Sequence, residues 1–177
     1  EGQVFFSTAP QFQGLKTVVK QDSWASGGNL NTARERLGGA GTQTAGLVYG
    51  GNVGTPPSPT LSNTSEEYNG SSWTEGNNLN TARMAIKGAG SQTAAVGFGG
   101  GYPVSNMNLT EEYNGTSWSE QNDMSADRAG HTGFGTQTAA VATADWPAAT
   151  TEEYGGTSWT SGGDLGTARY GMGGAGT

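Results

Sequence analysis

The chain contains no cysteine in its 177 residues. That excludes disulfides, thiolate metal centres and cysteine nucleophiles, and it leaves the redox compartment open. A single histidine, His131, excludes a metal site built on several imidazoles and any convincing Ser-His-Asp triad. It is expected on a strand or at a strand edge. No apolar run is long enough to cross a bilayer as a helix. Lys and Arg total only 8 against 15 Asp and Glu, a net charge of −7, which argues against nucleic acid and anionic membrane as partners. Leu, Ile, Val and Phe total 22, low enough on composition alone to suggest disorder. The first residue is Glu1 rather than an initiator Met, and no signal peptide is visible. The chain is therefore expected to be a mature or excised fragment.

What the chain does have is periodicity. Glu66–Trp73 reads EEYNGSSW, and it returns as EEYNGTSW at Glu111–Trp118 and EEYGGTSW at Glu152–Trp159. A divergent copy, TVVKQDSW, occupies Thr17–Trp24. Each Trp is followed ten residues later by an Arg, giving Trp24/Arg34, Trp73/Arg83, Trp118/Arg128 and Trp159/Arg169. Nine residues after three of these Arg residues comes Gln43, Gln92 or Gln137. Disordered low-complexity chain has no reason to hold aromatic residues at fixed intervals, so the repeat overrides the composition and implies a stacked fold. All length variation lies between Gln and the Glu pair: 23, 19 and 15 residues in successive copies. Even-numbered trimming keeps the in/out alternation of both flanking strands, which fits a hairpin with a dispensable tip.

One unit reads as four short antiparallel strands. In the best-defined copy these are Thr93–Gly99, Leu109–Tyr113, Ser117–Glu120 and the small-residue stretch Met84–Gly90. Asn114-Gly115 is expected to be a two-residue turn with positive φ at both positions. Four strands per repeat of roughly 40–50 residues is the pattern of a propeller blade. The expected fold is all-β: a single propeller domain of four blades. Blade 1 combines 1–26 with 170–177, and blades 2, 3 and 4 span 35–75, 84–120 and 129–161. The strand Tyr170–Thr177 would complete the sheet begun by Val4–Phe6, Leu15–Val19 and Ser23–Ala25. Closure of this kind removes the exposed sheet edge. Gly and Ala suit the crowded inner strands.

Leu47-Val48-Tyr49-Gly50-Gly51 followed by Tyr68 and Trp73, and Val96-Gly97-Phe98-Gly99-Gly100 followed by Tyr113 and Trp118, resemble the kelch repeat. The third copy has Thr143-Ala144 in place of the Gly pair but keeps Tyr154 and Trp159. The phrases LNTAR, GAGTQTA and EEYNGSSWT resemble kelch-type proteins of bacteriophage and bacterial surfaces, and EGQVFF at the start is similar to a stretch of phage tail and fibre proteins. The resemblance implies a non-enzymatic module of a virion or extracellular surface appendage. Other appendage proteins, an oligomer and host glycan are the partners it implies, and no cofactor is expected. The copper radical chemistry known in the kelch family needs Cys and His ligands that are absent here. The alternatives are an intracellular protein-interaction platform and a carbohydrate-active enzyme using Asp123, Asp127, Asp145 or Asp164.

Trp24, Trp73, Trp118 and Trp159, with Tyr68, Tyr113 and Tyr154, are expected to form the packing between blades. Arg34, Arg83, Arg128 and Arg169 are expected to tether one blade to the next through carbonyls or a Glu of the pair. One Glu of each pair should face the neighbouring blade and the other should face outward. Candidate ligand contacts lie in the variable tips on one rim: Trp146 and Asp145 in the shortest, Tyr102 with Ser105 and Asn106 in the next, and Asn52 in the longest. Aromatic rings there could stack on sugar faces, and loops on a rigid scaffold are where recognition concentrates. No metal site is expected, since no acidic spacing is diagnostic of Ca²⁺.

Overall fold

The computed structural model describes residues 26–101, 105, 107–145 and 147–176. Among the described residues it is all-β, with twelve strands in three four-stranded antiparallel sheets and no helix. The first sheet comprises β1 (Gly38–Thr42), β2 (Ala45–Tyr49), β3 (Ser65–Tyr68) and β4 (Trp73–Glu75). The second comprises β5 (Lys87–Gly90), β6 (Ala95–Phe98), β7 (Thr110–Tyr113) and β8 (Trp118–Glu120). The third comprises β9 (Thr132–Thr136), β10 (Ala139–Thr143), β11 (Thr151–Tyr154) and β12 (Trp159–Ser161). In every sheet the strands lie side by side in chain order.

Three sheets are present where four blades were expected. The expected strands Val4–Phe6, Leu15–Val19 and Ser23–Ala25, and with them Trp24, lie outside the described residues. Residues 170–176 form no strand, against expectation, and Tyr170 is 70% exposed. This segment is half glycine and offers few side chains to hold it on a sheet. It meets β9 through a backbone bond from Gly135 N–H to the carbonyl of Gly176, 3.1 Å. Gly174 lies against the ring of Phe134. The segment thus runs beside β9, as β9 runs beside β5 and β5 beside β1.

The connections between the second and third strands are residues 50–64, 99–109 and 144–150, so they shorten by four each time. The pairs at their necks are equivalent: Tyr49 opposite Ser65, Phe98 opposite Thr110, and Thr143 opposite Thr151. Trimming by an even number therefore leaves every strand with the same face toward its neighbour.

The Asn-Gly connections differ from expectation. Tyr113 pairs with Trp118, so the loop has four residues, and only Gly115 has positive φ (87°). Asn114 keeps a negative φ, and its side chain has another task. Its Oδ1 accepts from the backbone N–H groups of Thr116 and Ser117, both at 2.9 Å. Asn69 does the same for Ser71 and Ser72. This is an Asx turn, for which Asn is chosen as an acceptor rather than for left-handed backbone.

The core lies between sheets. Tyr49 reaches from the first sheet into the second, where its ring meets Trp118 edge-on at 4.7 Å and its hydroxyl donates to the Val96 carbonyl at 3.3 Å. Phe98 occupies the same place one sheet later, edge-on to Trp159 at 4.9 Å. Each ring enters a slot cleared by glycine. A Cβ on Gly88 would lie 1.5 Å from the Tyr49 hydroxyl, and one on Gly133 would lie 2.6 Å from the Phe98 ring. Apolar side chains are few because each interface needs one wedge and a glycine floor rather than many aliphatic groups.

Candidate binding face

The variable loops emerge from one end of the sheets, and an arginine fixes the neck of each. Arg83 lies on the crossover from β4 of the first sheet to β5 of the second and is fully buried. Its Nη1 donates to the carbonyls of Gly99 (3.1 Å) and Leu109 (2.7 Å), the two ends of the 99–109 loop. Its Nη2 meets Glu111 Oε1 at 3.0 Å. Arg34 holds Gly50, Thr64 and Glu66 in the same way, and Arg128 holds Ala144, Thr150 and Glu152. For Arg169 the described contact is its carbonyl, which accepts from Asp145 N–H at 3.2 Å. A planar fork can engage two carbonyls and a carboxylate at once, which a lysine cannot. The first Glu of each pair also accepts a backbone N–H from the crossover: Asn31 on Glu66, Asn80 on Glu111 and Ser125 on Glu152. The staple therefore joins each crossover to the sheet it leads into.

The second Glu does not face outward in the first two sheets. Glu67 accepts from the Tyr113 hydroxyl of the next sheet at 2.5 Å, and Glu112 accepts from Tyr154 at 3.0 Å. Burial, followed by the carboxylate, raises the phenol pKa of both tyrosines. Only Glu153, with no following sheet among the described residues, is exposed. Glutamine supplies a further link that sequence reasoning used only as a ruler. Gln92 Nε2 donates to the carbonyls of Gly46 and Tyr68 in the preceding sheet, and Gln137 donates to those of Ala95 and Tyr113. Its constant distance from Arg was the signal that could have revealed this. Tyr113→Phe is expected to cost about 1.5–3 kcal/mol in urea denaturation, the usual loss for a hydrogen bond to a charged group. Tyr68→Phe, whose hydroxyl has no carboxylate partner among the described residues, should cost under about 0.5 kcal/mol.

The loops leave their necks through left-handed backbone. Gly50 and Gly51 have φ of 67° and 101°, and Gly99 and Gly100 have 64° and 107°. In the third sheet these positions are Ala144 (66°) and Asp145 (131°), so the Gly pair is replaced by Ala144-Asp145 rather than Thr143-Ala144. The Asp145 carboxylate helps hold this conformation, accepting from Ala129 N–H at 3.2 Å and Gly130 N–H at 3.0 Å. Asn52 is likewise a fastening. It is 5% exposed, its amide donates to Glu35 and the Gly54 carbonyl, and its Oδ1 accepts from Gly54 and Thr60. These four bonds fix the base of the longest loop.

Two open clefts lie at the loops. One, of about 340 Å³, is lined by Pro56, Pro57, Pro59, Met84, Glu35 and Asn52. The other, of about 210 Å³, is lined by Asp127, Asp145, Arg128, Pro147 and Thr150. Asn52 and Asp145 thus belong to different clefts. Trp146, Tyr102 and Asn106 lie outside the described residues, and Ser105 is exposed.

Of the four acids considered for catalysis, Asp123 and Asp164 are repeat positions. Each accepts the backbone N–H of the third strand of its own sheet, Thr110 or Thr151, at 3.1 Å. Asp127 and Asp145 share a cleft. No group of three or more His, Asp or Glu side chains is placed to hold a metal among the described residues, and no helix there is long and apolar enough to cross a membrane. No protein-family model matches the chain, and no curated protein matches it significantly.

Proposed function

We propose that this chain is a non-enzymatic recognition and structural module, a kelch-type propeller of a virion tail or similar surface appendage. Its fourth blade would be completed by residues 1–26 together with 170–177. One observation carries the reading: the sheets repeat their tethers residue for residue, while the loops at one end differ in length, composition and backbone. A scaffold that varies only at one face is suited to binding rather than turnover. The buried charges support this, because the Arg–Glu pairs are consumed in holding loop necks. The ligand class that fits is a host surface glycan or a neighbouring appendage protein, met by the shortest and middle loops through Trp146, Tyr102 and Asp145.

A glycan array and a cell-adsorption assay with the intact protein test this. Binding that is lost on Trp146→Ala or Tyr102→Ala, with unchanged thermal stability, is the expected result. Absence of glycan binding, together with unchanged adsorption in both variants, would remove the recognition role and leave the structural one. Turnover on any glycan in the panel would overturn the non-enzymatic reading.

A further inference from the structure

His131 stands three residues after Arg128, where the other units carry Leu37, Ile86 and Met172. It is fully buried, and neither ring nitrogen has a hydrogen-bond partner of normal geometry. Its ring packs on Phe98 at 5.7 Å, across the seam between the second and third sheets. Gly99 approaches so closely that a Cβ there would lie 2.5 Å from Cε1 and 3.0 Å from Nε2. The Gly99 backbone thus packs directly against the Cε1–Nε2 edge of the ring. The corresponding place in the preceding seam is filled by Ile86, also fully buried.

We propose that His131 is an acid-sensitive latch: its neutral ring closes the seam between the second and third sheets, and mild acid opens that seam first. The charged groups facing it are all cations, Arg128 on its own crossover, Lys87 on β5 and Arg83 on the preceding crossover. The nearby carboxylates are already engaged, Glu111 by Arg83, Glu152 by Arg128 and Asp145 by the backbone of Ala129 and Gly130. Burial, then these cations, depress the ring pKa from 6.5 to about 3. The open seam offers an imidazole that protonates normally, so it binds more protons than the closed one between those two values. Closure is therefore fully present above the ordinary histidine range and weakens as pH falls. The opening equilibrium should rise about tenfold per pH unit below that range, roughly 50-fold between pH 6.5 and 4.5. Opening would uncover Phe98 and Trp159 and free the sheet that bears the shortest loop.

Amide hydrogen exchange of the whole chain at pH 7 and 4.5, corrected for intrinsic rates, tests the latch. Peptides spanning 95–101 and 131–143 should lose about two orders of magnitude of protection in acid, while those around Ile86 and Gly50 change far less. In His131→Ile the difference between the seams should vanish. Equal acid loss at both seams, or an unchanged acid response in the variant, would overturn the proposal. Should the variant fail to fold, the single histidine still gives one unambiguous Cε1–H resonance in the native protein. That resonance should not titrate while the chain is folded, and a midpoint near 6.5 would equally overturn it.

Discussion

Arg83→Ala is expected to destabilise the protein by about 3–5 kcal/mol, the cost of breaking a buried ion pair from one side. Arg83 and Glu111 are both essentially inaccessible, so the orphaned carboxylate could not recover its hydration without opening the sheet. The Gly99 carbonyl would lose its donor at the same time, and the Leu109 carbonyl would keep only the Gly99 N–H. Much of the effect is this penalty on what remains, rather than net attraction in the pair. The double variant Arg83→Met/Glu111→Gln should therefore recover part of the loss. Arg83→Lys should recover less than its conserved charge suggests, because one ammonium cannot span both loop ends and the carboxylate. Urea denaturation of the three variants decides the matter. A loss under about 1 kcal/mol for Arg83→Ala would mean the neck is held by the sheet alone.

Gly88→Ala is expected to be nearly as damaging, at about 3 kcal/mol, the upper part of the range for overpacking. The new methyl would sit 1.5 Å from the Tyr49 hydroxyl, 2.9 Å from its ring and 2.8 Å from the Val96 carbonyl. None of these can withdraw cheaply, since Tyr49 is fully buried and Val96 O belongs to the β5–β6 ladder. Adding Tyr49→Phe removes the worst contact and should return part of the stability despite losing a hydrogen bond. If Gly88→Ala proved neutral, the ring would not be seated as described, and the wedge-and-floor packing between sheets would fail with it.

The repeat made much of this architecture readable before any coordinates. Constant spacing from Trp to Arg to Gln placed the strands, and the four-residue steps located the loops. The roles of Arg34, Arg83 and Arg128 followed from the geometry of a guanidinium. What could not be read was the direction of individual side chains across a seam. One Glu of each pair was expected to face outward because alternation alone says that one of two neighbours points away. The following sheet then covered it with a tyrosine. Asn69 and Asn114 were misjudged for a different reason: Asn-Gly suits a tight positive-φ turn and an Asx turn equally, and the sequence does not rank them. The left-handed Ala144 and Asp145 were hidden because neither residue type announces that conformation. His131 looked like an ordinary strand residue until its apolar counterpart Ile86 showed what the slot accepts.

Completion of the ring is tested most directly by one covalent link. In the repeat frame Ala175 corresponds to Phe134 and Phe6 to Val141, and Phe134 pairs with Val141 across β9 and β10. The chain has no cysteine to interfere. Cysteines introduced at Phe6 and Ala175 should form an intramolecular disulfide in the monomer under mild oxidation, as should a control pair at Phe134 and Val141, because paired strand neighbours lie within the Cα separation that a disulfide needs. Linking of the control pair alone, or a bond at Phe6/Ala175 found only between separate chains, would show that head and tail of one molecule do not share a sheet.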